Sequence, residues 1–184
     1  MTMKTTLVLA ALATLIAAPA LAAGPTCVSN ADWLIVEKPH KDDVGNSYIV
    51  RSKSASPQAA CSTKAAKGDR VIGTNDDPFF LLKLAGNYLM IDAGTGPDRG
   101  LVIYDLRDGS EIFSGGYDDE SFKADVAGAS FWTETGAKAT RKNCPNIAAI
   151  EKDYLTPTIE AKARFDFAKG AVTVSKDTRC RATQ

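Results

Sequence analysis

The stretch "TIEAKARFDF", Thr158 to Phe167, alternates between two kinds of residue without interruption. Ile159, Ala161, Ala163, Phe165 and Phe167 fall on one side, while Glu160, Lys162, Arg164 and Asp166 fall on the other. Successive side chains change face only in an extended chain, so this pattern predicts a strand with one face on a core. Ala168-Lys169-Gly170 supplies a short turn, and "AVTVSK" (171–176) resumes the alternation at Val172 and Val174. The two runs read as a β-hairpin.

Comparable runs predict strands at Trp33–Val36, Ser47–Ser52, Arg70–Gly73, Phe79–Leu84, Tyr88–Asp92, Leu101–Leu106, Glu111–Gly115 and Ser130–Thr135. Two segments carry helix signals instead. "SPQAACSTKAAKG" (56–68) has Ser56 as N-cap, Pro57 at the first helical position and Gly68 just past the end. "CPNIAAIEKDYLTP" (144–157) places Pro145 in the same role and Pro157 beyond the exit. Many short strands separated by turn residues predict a mainly β fold. The expected architecture is an antiparallel β-sandwich or barrel-like meander with one or two short helices.

The glycines of "IDAGTGPDRGLVIYDLRDGSEIF" (91–113) suggest a phosphate-binding loop at first sight. A dinucleotide fingerprint needs G-x-G-x-x-G at the mouth of a helix, where the helix N-terminus receives the phosphates. Here Gly94, Gly96 and Gly100 are spaced one residue too long, and the β-branched run "LVIYDL" follows. The glycines are read as turn residues, and no cofactor is expected.

The chain opens "MTMKTTLVLAALATLIAAPALAAGPTC". Lys4, an apolar run from Leu7 to Ala18, and small residues up to Ala22 follow the order of a secretory signal peptide. The run is shorter than the ~20 residues a membrane-spanning helix needs. Residues 1–22 are therefore read as a cleaved leader and 23–184 as a single β-rich exported domain, periplasmic or secreted. No transmembrane segment is expected after cleavage. All four cysteines, Cys27, Cys61, Cys144 and Cys180, fall in the exported part, as two disulfides would require. Three pairings are possible. Cys27–Cys61 with Cys144–Cys180 is favoured, because each bond then ties one end of the chain to a nearby segment. No C-x-x-C pair supports a zinc site.

Acidic and basic residues number 22 each, but their distribution is uneven. Residues 92–134 hold ten acids against Arg99, Arg107 and Lys123, while residues 136–184 hold ten bases against five acids. Adjacent strands carrying these segments could offset each other, or the surface could be polarised toward a charged partner. No basic cluster with interleaved aromatics suggests nucleic acid.

Catalytic constellations are not assembled in the sequence, and the reading leans away from an enzyme. His40 is the sole histidine, and Gly128-Ala129-Ser130-Phe131-Trp132 fails the G-x-S-x-G elbow at its last position. An alternative is a metal-assisted hydrolase using Asp92, Asp98, Asp118, Asp119 and Glu120, although glycine and aspartate together are also what a turn requires. Trp132 and Phe131 must face opposite ways if this segment is a strand. The tripeptide Lys38-Pro39-His40 resembles the exposed loop of the periplasmic inhibitors of vertebrate-type lysozyme, where a histidine enters the enzyme's cleft. That resemblance implies contact with a target through His40 and Lys38. It covers these three residues, and Glu37 and Lys41 stand where that family has flanking cysteines. Asp98, Arg99, Asp118 and Asp119 complete the candidate contact residues. The expected role is a non-catalytic binding module for a protein or envelope component, in its most concrete form an inhibitor of a secreted hydrolase. A structural envelope accessory is a third possibility.

Overall fold

The computed structural model describes residues 25–55 and 60–184. The expected leader, 1–22, lies outside the described residues. Strands β1 (Cys27–Ser29), β2 (Trp33–Pro39), β3 (Asn46–Ser52) and β4 (Arg70–Ile72) form a four-stranded antiparallel sheet in that order. A seven-stranded antiparallel meander follows. It consists of β5 (Phe79–Ala85), β6 (Tyr88–Ala93), β7 (Arg99–Asp105), β8 (Glu111–Ala124), β9 (Gly128–Glu134), β10 (Thr156–Asp166) and β11 (Ala171–Thr183), each beside its predecessor. One short helix, α1 (Ile147–Lys152), sits in the connection between β9 and β10. Among the described residues no helix is long and apolar enough to cross a membrane.

Alternation decides what each face of the large sheet does. One face gathers Tyr88 and Met90 of β6, Leu101 and Ile103 of β7, Tyr117 of β8, Phe131 of β9, and Ala163 and Phe165 of β10 into one buried cluster. Tyr88 meets Phe165 edge-on with ring centroids 4.9 Å apart, although three strands separate β6 from β10. The sheet is therefore rolled about this apolar face, which is the barrel-like part of the fold. The other face carries Leu89, Ile91 and Val102, which pack against Ile35, Tyr48, Val50 and Ile72 of the small sheet. Strand β6 is thus covered on both sides, which explains why Tyr88-Leu89-Met90-Ile91 is apolar throughout.

Both disulfides have the favoured pairing, Cys27–Cys61 and Cys144–Cys180, with Cα–Cα separations of 6.0 and 5.1 Å. The second anchors the α1 region, where Cys144, Ile150 and Ile159 form a separate small core. Ile159 joins this satellite, so the apolar side of β10 serves two cores.

Three expectations are corrected. The helix over 56–68 is absent from its described part: residues 60–68 run as coil and turns. Cys61 is tied to Cys27, and the buried Arg51 guanidinium binds the carbonyls of Ala60 (2.5 Å) and Lys64 (2.6 Å) and the carboxylate of Asp69. These bonds fix the carbonyls in a non-helical path that local propensity cannot resist. The 144–157 helix is realised only over Ile147–Lys152, with Asn146 as its N-terminal boundary residue. Pro145, expected at the first helical position, lies one residue before that cap. The strands predicted at 111–115 and 171–176 extend to Ala124 and Thr183, and β1 was not anticipated. The predicted strand stops at Gly115, and the acidic run reads as turn-like in sequence, whereas pairing of Gly116 with β7 and of Tyr117 and Asp118 with β9 carries the strand onward.

Candidate functional site

The small sheet covers only the β5–β7 half of the second face. On the β8–β11 half, Asp118 pairs with Trp132, Trp132 with Lys162, and Glu160 with Arg179, so these side chains share a face. Glu160 is fully enclosed there. Its Oε2 accepts from Arg179 Nε at 2.7 Å and its Oε1 from Arg181 Nε at 2.6 Å. Arg179 also bonds Asp118, and its guanidinium carbon lies 4.5 Å from the Trp132 ring centroid. Burial works against the charge on Arg179, but the Asp118 and Glu160 carboxylates outweigh it and hold its pKa above the ordinary value. The indole is clamped beneath a guanidinium that cannot readily move.

Beside the indole, the β8–β9 ladder opens. Asp118 pairs with Trp132, and the next pair is Lys123 with Ser130, so residues 119–122 stand opposite Phe131 alone. Ser121 closes the gap: its Oγ accepts the Trp132 backbone N–H at 2.9 Å and donates to the Asp118 carbonyl at 2.5 Å. This bulge borders a groove of about 430 Å³ lined by Glu120, Ser121, Lys123, Ser130, Trp132 and Lys162 among others. Bulges of this kind re-aim side chains and recur beside binding sites. Phe131 is buried while Trp132 is half-buried, which settles their opposite facing.

The candidate residues fall in three places. Lys38 is exposed near the end of β2, and His40 begins the loop that leads to β3. His40 Nδ1 lies 3.3 Å from the Val44 carbonyl, and its Nε2 is enclosed with no partner among the described residues. His40, Asp42, Asp43 and Asp76 line a hollow of about 270 Å³. Asp98 is exposed in the β6–β7 turn, while Arg99 is bound to the buried Asp92 at the end of the rolled face and lies over the Phe80 ring. The acidic run is divided. Asp118 is bound to Arg179 on the second face; the charge of Asp119 is felt by Arg99 and Tyr117, and Asp119 and Glu120 are exposed. Alternation imposes that division. Among the described residues, no three His, Cys, Asp or Glu side chains converge as a metal would need. Asp92 and Asp118 each have an arginine instead. Asp118–Arg179 and Asp125–Arg164 also join the acidic and basic halves of the sequence across the sheet, so part of the charge asymmetry is internally offset.

No family model, curated protein or solved structure matches the chain. Trp132, Glu160, Lys162 and Arg179 were not singled out together by sequence. The signal was present in the alternation of "TIEAKARFDF", whose polar side is the same face, but the arginines of β11 lay beyond the predicted strand.

The loop bearing His40 is seated by Gly45, whose φ is +102°. A Cβ there would come within 2.8 Å of Phe79 N and Pro78 Cα. Gly45→Ala is expected to cost about 1–3 kcal/mol of stability in urea titration, from left-handed strain and contact with immobile backbone.

Acid should also destabilise the fold. Asp105 is held below the ordinary range by the Arg107 guanidinium, Asp125 by the Ala127 and Gly128 N–H groups, and Asp166 by the Lys169 N–H. Each contributes stability above its unfolded value of about 3.9 and loses it as pH falls through the lower folded value. Glu37 acts in the opposite sense, because burial raises its pKa. Asp108 is lowered likewise by the Ser110 N–H, and four depressed carboxylates against one raised predict that the melting temperature falls on acidification from pH 5 to pH 2. A melting temperature constant over that range would contradict it.

Proposed function

We propose that the chain is an exported, non-catalytic binding module whose contact surface is the β8–β11 half of the second face, centred on Trp132. One observation carries this reading: the clamped indole stands beside a groove and an exposed acidic bulge, on the part of the large sheet's second face that the small sheet leaves uncovered. A rigid aromatic anchor with a charged rim is the anatomy of a protein-binding hot spot. The most concrete partner is a secreted hydrolase, with Asp119 and Glu120 as rim contacts, and the leader supports action in the periplasm or medium.

The test is capture from periplasmic extract by the mature protein and its Trp132→Ala variant, followed by affinity measurement on any protein retained. Truncating an interface tryptophan is expected to weaken binding by about 30-fold or more. Equal retention by both forms, or no retention by the wild type in repeated captures, overturns the proposal. A Lys38→Ala/His40→Ala form tests the other candidate surface and should bind as the wild type does.

A further inference from the structure

A second groove lies at the junction of the two sheets. Trp33 pairs with Ser52 and Val50 with Arg70, so all four lie on the face of the small sheet that packs on the large one. Leu106 and Arg107, just past β7, close the groove from the other sheet, leaving about 410 Å³. Val50 and Leu106 are buried and belong to the core between the sheets. Arg70 is therefore a cation placed at the rim of an apolar layer.

Its position is fixed at two points. Arg70 Nη1 donates to the Leu106 carbonyl at 2.8 Å. Gly109, with φ +81°, leaves the space that the arginine occupies: a Cβ there would lie 2.6 Å from Arg70 Nε and 2.7 Å from its Cδ. The neighbouring charges are already matched. Asp69, which also lines the groove, binds Arg51 and the Ala66 N–H, and Asp105 binds Arg107 while its charge is also felt by Arg70. Arg70 bonds a neutral carbonyl and forms no ion pair among the described residues, so most of its N–H donors remain unused.

A guanidinium held in place in a groove that an indole and two buried apolar side chains also line is suited to a carboxylate attached to a flat apolar body. We infer that this junction groove binds a small organic carboxylate, its oxygens on Arg70 with Arg107 at the rim and its apolar part against Trp33. The site stands apart from the Trp132 face and does not depend on it.

Benzoate is the probe, with benzamide as its neutral counterpart, followed by ¹⁵N–¹H NMR on the mature protein. Benzoate is expected to shift the Trp33 indole and Arg70 Nε–H signals with a Kd of about 1 mM, as befits so small a ligand. Benzamide should bind at least tenfold more weakly, and so should benzoate to Arg70→Gln. Gly109→Ala, which displaces the guanidinium without removing it, should also weaken benzoate, and it keeps the test decisive if Arg70→Gln does not fold. The assignment is overturned if benzoate leaves the Trp33 indole signal unmoved, if benzamide binds equally well, or if folded Arg70→Gln retains wild-type affinity. In the last case Arg70 would only tie the sheets together.

Discussion

Glu160→Ala is expected to destabilise the fold by about 3–5 kcal/mol, the cost of removing one member of a buried ion pair. Glu160 is fully enclosed, and both its oxygens are occupied by arginines from β11. Its removal leaves Arg181 without an acid partner among the described residues and Arg179 with Asp118 alone. The destabilisation comes from the stranded guanidinium groups more than from the lost attraction. For a domain of this size the melting temperature should fall by roughly 6–20 °C. Urea denaturation near pH 7, in low and high salt, checks this. Glu160 is enclosed while Arg179 and Arg181 are 34% and 24% exposed, so salt should reduce the loss only in part. A loss below ~1 kcal/mol would place these charges with surface ion pairs. The same variant removes one of the two carboxylates that hold Arg179 over Trp132, so any affinity carried by that indole should fall with stability.

Phe165→Ala is the second large effect, expected at about 3–5 kcal/mol. Phe165 is fully buried, meets Tyr88 edge-on at 4.9 Å and Phe167 at 5.7 Å, and so connects β10 to β6 across the inside of the rolled sheet. Truncation leaves a cavity that the rigid strands on either side cannot close. Tyr88→Phe keeps the ring and should cost under ~1 kcal/mol, which separates loss of ring packing from any role of the hydroxyl. Chemical denaturation of the two variants side by side is the measurement. If Phe165→Ala costs no more than Tyr88→Phe, the rolled sheet does not depend on this contact.

The fold was more legible than the site. The apolar side of β10 could be read residue by residue, because a period of two is a local property of the chain. The glycine-rich stretch could be read as a turn between two strands for the same reason, and residues 94–98 join β6 to β7. The disulfide pairing followed from the tendency to close the shorter loops. The polar side of β10 was equally visible, yet nothing local distinguishes a solvated Glu160 from an enclosed one. Its burial depends on Arg179 and Arg181, which reach it only because β11 runs to Thr183. The helix expected at 56–68 failed in its described part for a related reason: Arg51 and Cys27, distant in sequence, bind its carbonyls and its cysteine.

By itself, then, the sequence indicated the period-two strands and the apolar face about which the sheet rolls, and it favoured the observed cysteine pairing among three. Each depends on neighbours along the chain or on the statistics of loop closure. The tertiary structure alone decided that Asp118 meets Arg179, that Trp132 lies beneath Arg179, and that Trp33, Arg70 and Arg107 meet at one groove. Those outcomes depend on register and on how two sheets stack, where one residue of slip would turn every side chain to the other face.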